Sequence, residues 1–437
     1  MKRILSIFLV IVLLFSLCAC SASKTTDEEP MKEIVGGDSI GSNFDSGIIK
    51  EEVYGESIMN SAVADDMASV DGESGSKGSS ESGVVDTPQQ TPEYIAGTLT
   101  AGEWKDLENI EFWTKLLNRN DWYQLMEDRN LFANTIIPVE VKDQEGHPCY
   151  NAKVSIIDKE GRVLYNAVSD ASGMAYLFYN LDGKKGEVPE CIVIGEQKFP
   201  IDKDGITKVK VDKFTSEIME LDLMLMVDTT GSMSDELTYL QKELESVIKK
   251  VSDTNKTVSI NVSVNFYRDE DDEYVIKPFE FTNKIDDVIL QLNAQRTDGG
   301  GDYPEAVHKA LNNIVNEHQW RSGAVKLCFF VLDAPPHTEQ EIQGINANMT
   351  KYIQTMAEKG IRLIPIASSG VNTETEFLLR SWAAMTGGTY TFLTDHSGVG
   401  NSHLEPTIGD YEVEKLNNLM FRLINEYLGG MTIKLEQ

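Results

Sequence analysis

The pattern of apolar and polar residues changes along the chain and predicts several kinds of structure. In residues 216–437, short and almost wholly apolar runs alternate with stretches of helical spacing, and the clearest runs span 221–227, 325–332 and 361–366. Such runs predict strands buried on both faces of a parallel sheet. We therefore predict an α/β domain with a doubly wound, mostly parallel sheet and right-handed crossovers. Further strands are predicted at 258–267 and 275–281, and helices after residue 302 and at 339–359, 376–385 and 411–428.

Two other patterns precede this domain. Residues 134–215 contain short strand-like runs, several of which alternate with period two, and turns rich in Asp and Gly separate them. This pattern predicts a small all-β sandwich. Residues 96–133 carry apolar and aromatic positions mostly at helical spacing. We predict a helical segment there, whose aromatic stripe packs into a core.

The first 20 residues have the anatomy of a signal peptide. Two basic residues are followed by an apolar stretch at 4–17 that is too short to span a bilayer comfortably. Residues 17–20 resemble a bacterial lipobox, which implies that Cys20 is lipidated and becomes the mature N-terminus. A plain secretory signal is the alternative. The chain is therefore expected to be exported to the bacterial cell envelope and held at a membrane by lipid.

Residues 21–95 predict a disordered tether, because a segment rich in Ser, Gly and acidic residues buries too little apolar surface to fold. The whole chain has 39 basic and 70 acidic residues in 437, a net charge of −31. This charge argues against nucleic acid as a partner. Its weight is limited, since 16 of the acidic residues and only three lysines lie between 25 and 95.

Three of the five cysteines lie outside the leader. Cys149 and Cys191 fall in the same predicted domain, and export permits disulfides, so they are a candidate pair. Cys328 lies in the middle of a predicted strand and is expected to be a buried small hydrophobe.

Hard oxygen ligands are predicted to meet at one edge of the sheet. Asp228 ends the first apolar run, and Thr230 and Ser232 occupy alternate positions of the turn after it. Asp333 ends a second run, and the glycine-rich loop 297–305 lies between the two. Because the carboxyl ends of parallel strands share one edge, these side chains should converge. The alternative for the turn is a helix start with Ser232 or Ser234 as its cap.

These residues resemble a known site. Asp228-x-Thr230-x-Ser232, the Gly-Gly-Asp302 loop and Asp333 resemble the metal-ion-dependent adhesion site of von Willebrand factor type A (VWA) domains. The sequences at 266–269 and 332–337 resemble the hemicentin-like and alpha-kinase-associated branch of that family. Residues 134–215 resemble the carboxypeptidase-regulatory and collagen-adhesin B-type repeats, which space and support functional domains.

The resemblance implies one divalent cation, Mg²⁺ first, with Mn²⁺ or Ca²⁺ as alternatives. Asp228, Thr230 and Ser232 would hold it, Asp333 would bind through water, and one position would stay open for an acidic or other oxygen-donor side chain of a protein partner. Asp302 stands where the family usually has threonine, so it is expected to bind directly or through water. Thr297 is the fallback ligand.

We therefore expect a lipid-anchored cell-surface protein that binds or adheres to a protein partner, not an enzyme. A scaffold with a purely structural metal is the alternative. A metal-dependent hydrolase or phosphatase is a weaker alternative, because Thr230 occupies the place where haloacid-dehalogenase-type phosphatases need a second acid.

Two other polar segments are harder to interpret. The acidic run 269–273 predicts a solvated loop, with a second cation site as the alternative. His396, His403 and Glu405 lie in a long loop with no periodic pattern to bring them together. A plain surface loop is expected there, with a lid or partner contact as the alternative.

Overall fold

A computed structural model describes residues 94–212 and 217–430. The leader, Cys20 and the predicted tether up to residue 93 lie outside the described residues. Among the residues that are described, no helix combines the length and the apolar character needed to cross a bilayer.

The described residues form fifteen strands and eight α-helices. The strands are β1 (Thr100–Trp104), β2 (Ile136–Lys142), β3 (Lys153–Ile157), β4 (Val163–Val168), β5 (Met174–Phe178), β6 (Cys191–Ile194), β7 (Gln197–Pro200), β8 (Thr207–Lys210), β9 (Glu220–Asp228), β10 (Ser259–Tyr267), β11 (Ile276–Lys277), β12 (Val325–Leu332), β13 (Ile361–Ala367), β14 (Tyr390–Leu393) and β15 (Glu414–Lys415). The helices are α1 (Ile110–Leu117), α2 (Asn120–Arg129), α3 (Leu237–Thr254), α4 (Ile285–Asn293), α5 (Val307–Asn316), α6 (Ile345–Lys359), α7 (Thr373–Thr386) and α8 (Leu416–Tyr427).

A large, mostly parallel sheet organises the α/β part. Within the described residues its order is β11-β10-β9-β12-β13-β14-β1-β15, and β10, β9, β12, β13 and β14 run parallel. One face packs against α3, α4 and α8, and the other against α5, α6 and α7. Because both faces are covered, the apolar runs of β9 and β12 are buried throughout, apart from the first residue of β9. The predicted α/β architecture is therefore confirmed.

The segment 96–133 is helical only in part, which corrects the prediction. Thr100–Trp104 forms β1, which lies in the large sheet between β14 and β15 and is antiparallel to both. Gly102 permits the close pairing, since a Cβ there would lie 2.5 Å from the Phe392 ring. Helices α1 and α2 follow the strand. The sheet of the α/β domain therefore includes a strand that precedes residues 134–215 in sequence.

Two smaller sheets lie between β1 and β9 in sequence. Their strand orders are β5-β2-β8 and β4-β3-β6-β7, and apart from the parallel β2–β8 pair their strands are antiparallel. Their inward residues belong to the same core as α6 and α7. The Tyr165 hydroxyl donates to the Met385 carbonyl at 2.7 Å. These small sheets therefore pack on the α/β domain itself.

The candidate disulfide is absent from the described residues, where Cys149, Cys191 and Cys328 are all free. Cys149 lies beside β2, with its N–H donating to the Val141 carbonyl, whereas Cys191 lies in β6 of the other small sheet. Cys149 and Cys191 belong to the same segment of sequence, but their thiols are not paired. Cys328 is fully buried, as its position in an apolar run predicted.

Candidate metal centre

The turn after β9 brings three oxygen-bearing side chains together. Asp228 closes the strand and is fully buried. Thr230 donates to Asp228 Oδ1 from its backbone N–H at 2.9 Å and from its hydroxyl at 2.7 Å. The Thr230 and Ser232 hydroxyl oxygens lie 3.1 Å apart, and Ser232 is exposed. The group therefore opens to solvent on the side of Ser232.

The turn is not a capped helix start. A short 3-10 helix covers Gly231–Asp235, and α3 begins only at Leu237. Within the described part of the chain, neither helix start receives a hydrogen bond from a capping side chain. The hydroxyls of Thr230 and Ser232 are therefore not used to cap a helix, and their remaining lone pairs are available to another ligand.

The glycine-rich loop packs directly on this turn through its backbone. Gly231 N–H donates to the Gly299 carbonyl at 3.1 Å, and Asp298 N–H donates to the Thr229 carbonyl at 3.1 Å. Asp272 supports the loop by accepting the Gly300 N–H at 2.9 Å. Gly299 has a φ of +76°, and a Cβ there would lie 2.0 Å from Asp272 Oδ1. Glycine is therefore required at this position for two reasons.

Glu305 is the candidate site residue that sequence reasoning missed. It is only 3% exposed, and its backbone N–H donates to the Pro335 carbonyl at 3.0 Å, which ties it to the loop after β12. A Cβ on Gly300 would lie 3.2 Å from Glu305 Oε1, so the carboxylate lies against the glycine-rich loop. The signal available in the sequence was an acid directly before the apolar pair at 306–307.

Asp333 follows β12 and faces the same place. It is 3% exposed, and β12 is the neighbour of β9, with Val331 paired to Val227. The loop after β13 approaches it closely, since a Cβ on Gly370 would lie 3.3 Å from the Asp333 carbonyl oxygen. The carboxyl ends of the two strands therefore meet as their order predicts.

The three carboxylates destabilise one another's charge. Burial raises the pKa of Asp228 to about 6, although the hydrogen bonds from Thr230 oppose the shift. Burial, followed by the charge of Asp228, raises the pKa of Asp333 to about 8 and that of Glu305 to about 9. The charges that act most on them are all negative. A divalent cation is the kind of group that would reverse this effect, because it favours the ionised form of every carboxylate beside it.

Asp302 lies elsewhere. Asp302 is exposed, and its carboxylate groups with His337 and Glu341, with ligand atoms within 4.8 Å of one another. The positive φ values of Gly299 and Gly300 turn the loop, and Glu305, three residues on, is the acid that is buried at the strand ends. Thr297 is half-buried in the loop. The structure therefore places Glu305, and not Asp302, with Asp228 and Asp333.

The donor set fits a hard divalent cation. Asp228 Oδ2, Glu305 Oε2 and Asp333 Oδ1 are buried oxygens without a hydrogen-bond partner in the described residues. Unpaired buried carboxylate oxygens are costly, and with two hydroxyls they form the oxygen set that Mg²⁺, Mn²⁺ or Ca²⁺ prefers. The oxygens of these three carboxylates do not all lie within 4.8 Å of one another, whereas the ligand atoms of Asp302, His337 and Glu341 do. A water molecule would therefore complete the contact of at least one of them.

The long loop after β14 is attached to the start of α3. His403 Nε2 lies 2.9 Å from Glu236 Oε1, and His403 Nδ1 lies 2.8 Å from Asp395 Oδ1. Burial opposes the charge of His403, but the two carboxylates outweigh it and raise the pKa of the imidazole. Asn401 donates to Asp235 from its backbone at 2.8 Å and its side chain at 2.7 Å. These hydrogen bonds hold the loop beside the candidate metal centre. No sequence pattern indicated this contact.

Comparison with known proteins gives three findings. Residues 222–395 match the family model of the von Willebrand factor A domain. An "ariadne-like RING finger protein" of Acanthamoeba polyphaga mimivirus is 32% identical over 136 residues, which are 31% of this chain and 13% of that protein. The chain thus spans about an eighth of the length of this relative.

Among solved structures, the pilus adhesin SpaC from Lactobacillus rhamnosus GG, in its open conformation, is 15% identical over 28% of this chain and 16% of the adhesin. Its TM-score of 0.24 is too low to support an argument about fold or function. The family match covers both strand ends of the metal centre and the glycine-rich loop. A von Willebrand factor A-type domain is therefore present in this chain.

Proposed function

We propose that this protein binds a protein partner through a divalent cation held at the carboxyl edge of its large sheet. Asp228, Thr230 and Ser232 would hold the ion directly, and Glu305 and Asp333 would complete the site, with a water molecule bridging at least one carboxylate. Mg²⁺ is the proposed ion, because every ligand is a hard oxygen, and Mn²⁺ and Ca²⁺ are its competitors. When bound, the ion supplies an electrophilic centre for an oxygen donor.

The observation that carries the proposal is the group of three buried, unpartnered carboxylate oxygens facing two hydroxyls. Ser232 is on the exposed side of this group, and Tyr303 on the glycine-rich loop is 45% exposed. A partner's acidic or other oxygen-donor side chain would enter there. Three ionised carboxylates carry one negative charge more than the divalent ion can neutralise, which favours a partner that adds a neutral oxygen over one that adds a carboxylate.

A capture experiment tests this function. The immobilised full-length protein, with Mg²⁺, should retain a partner from cell-envelope extract, and EDTA or Asp228→Asn should abolish retention. Asp253→Asn removes an exposed carboxylate of α3 and should leave retention unchanged. Retention that survives EDTA, together with a lower melting temperature in EDTA, would instead make the metal purely structural.

We further propose that the protein is a lipoprotein of a bacterial cell envelope, anchored through Cys20 by an acidic tether. The support is the leader pattern at residues 2–20 and the composition of 21–95. A binding domain held at the cell surface suits adhesion to a neighbouring protein.

Anchoring is tested by fractionation. Cys20→Ala should move the protein from the membrane to the soluble fraction, because it removes the acylated side chain. Cys18→Ala, two residues earlier, is the matched control and should leave it in the membrane. Retention of the Cys20 variant in membranes would contradict the proposal.

A further inference from the structure

Three sequence motifs leave polar residues that the metal centre does not use, and these residues lie together beside it. Asp269 ends the motif at 266–269, Asp302 belongs to the glycine-rich loop, and His337 ends the motif at 332–337. The ligand atoms of Asp302, His337 and Glu341 all lie within 4.8 Å of one another. This group contains an imidazole between two carboxylates, which differs in chemistry from the all-oxygen centre.

The imidazole of His337 is oriented for a ligand. Its Nε2 lies 2.8 Å from Asp269 Oδ1, and because a carboxylate only accepts, Nε2 carries the proton. Nδ1 is then the nitrogen with the lone pair; it has no hydrogen-bond partner in the described residues and lies 3.7 Å from Glu341 Oε2. His337 is only 9% exposed. A histidine that donates to a carboxylate through one nitrogen and offers the other is the usual arrangement at metal sites.

The backbone that carries His337 is also fixed. Arg129, at the end of α2, is 3% exposed and donates to the His337 carbonyl at 2.8 Å and to the Pro336 carbonyl at 3.0 Å. It also pairs with Glu374 at 2.6 Å. The N-terminal helical segment thus supports the loop that presents the imidazole.

Glu341 has a structural role that leaves one oxygen available. Its Oε2 accepts the Thr338 N–H at 2.6 Å and the Thr338 hydroxyl at 2.7 Å, as in a capped turn. Oε1 accepts no hydrogen bond in the described part of the chain. The capped turn explains Glu341, but it does not explain why the unpaired Nδ1 of a largely buried histidine lies beside two carboxylates.

We infer that Asp302, His337 and Glu341 form a second divalent-metal site beside the first. One nitrogen and two carboxylate ligands suit Zn²⁺, Co²⁺, Mn²⁺ or Ni²⁺ better than Mg²⁺. Ligands about 2.1 Å from one ion lie no more than about 4.2 Å apart, so a small rotation of the two more exposed carboxylates closes the group. Three protein ligands leave at least one position for water or for a group of the partner.

This inference also gives the acidic run 269–273 a specific role. Asp269 accepts from His337, and Asp272 supports Gly300 of the loop that carries Asp302. The run therefore orients the ligands of the second site and provides none of them.

Co²⁺ titration of the metal-free full-length protein, followed by calorimetry and visible absorption, tests the inference. The wild-type protein should bind Co²⁺ with a spectrum that reports nitrogen coordination. His337→Ala should lose that spectrum and one equivalent of Co²⁺, whereas Asp228→Asn should keep both the spectrum and that equivalent. Asp269→Ala should weaken binding about tenfold or more, because it removes the acceptor that orients the imidazole.

His396→Ala removes an exposed imidazole and is the matched control, with wild-type binding expected. If His337→Ala does not fold, Asp302→Asn decides by the same criterion, because that side chain is exposed. The second site would be overturned if folded His337→Ala kept the wild-type Co²⁺ stoichiometry and spectrum. If His337→Ala is unfolded, the same result in Asp302→Asn would overturn it. Neither result would affect the first site, whose own test is Mg²⁺ binding.

Discussion

At the residue scale, Arg380 shows how a buried charge is accommodated. Its guanidinium lies 2.6 Å from Asp106 Oδ1 and 3.0 Å from Glu376 Oε1. All three side chains are at most 3% exposed. The rings of Trp113 and Trp122 lie 5.1 and 5.2 Å from it. Desolvating these charges is costly, and the paired geometry offsets the cost only while all partners are present.

We expect Arg380→Met to lower the free energy of unfolding by about 3–5 kcal/mol, because it leaves two buried carboxylates without their cation. Arg119→Met is the matched control. Arg119 pairs with Asp121 at the surface, where both side chains are more than half exposed, so its loss should cost less than about 1 kcal/mol. Urea unfolding of the two variants measures the difference, and equal, small losses would contradict this account.

Sequence reasoning located two carboxylates of the candidate metal centre, whereas the structure places a third predicted ligand, Asp302, outside that group. Asp228 and Asp333 could be located because each directly follows an apolar run, and strand ends share an edge. The third carboxylate could not be located in the same way. Gly299 and Gly300 adopt left-handed conformations that turn the loop, and the backbone contact of Glu305 with Pro335 comes from a distant segment. The resemblance to the family motif therefore pointed to Asp302 and did not indicate Glu305.

At the element scale, elements with strong patterns were predicted well and their ends less well. The run at 325–332 coincides with β12, and Gly360 ends α6 in a left-handed conformation. The helix predicted at 339–359 begins only at Ile345, because Glu339 accepts the Gly344 N–H and holds a turn before it. The strand predicted at 275–281 is reduced to Ile276–Lys277. Apolar periodicity continues past the points where local hydrogen bonds stop an element.

Strand β1 could not be predicted from its own residues. Thr100–Trp104 shows no clear alternation of apolar and polar residues. Trp104 also fits the helical spacing of the apolar residues that follow, so the pattern predicts a helix there. The pairing that defines the strand joins Ala101 to Leu393, almost 300 residues away. Such a contact depends on tertiary context, which overrides local propensity.

At the scale of the whole molecule, the strand order ties the N-terminal segment to the VWA-type domain. The large sheet takes one strand from before the two small sheets and the rest from after them. The small sheets and α7 share one core, and Arg129 of α2 holds the loop between Asp333 and the proposed second site. The candidate metal centre and the proposed second site are therefore supported by parts of the chain on both sides of the small sheets.

The central claim is that the edge of this sheet holds a divalent cation, and calorimetric Mg²⁺ titration of the metal-free full-length protein tests it most directly. We predict that the wild-type protein and Asp253→Asn bind one Mg²⁺, and that Asp228→Asn binds none. Metal-free Asp228→Asn should melt at or above the wild-type temperature, because the substitution relieves repulsion among buried carboxylates. Wild-type Mg²⁺ binding by folded Asp228→Asn, or no binding by the wild-type protein, would contradict the account.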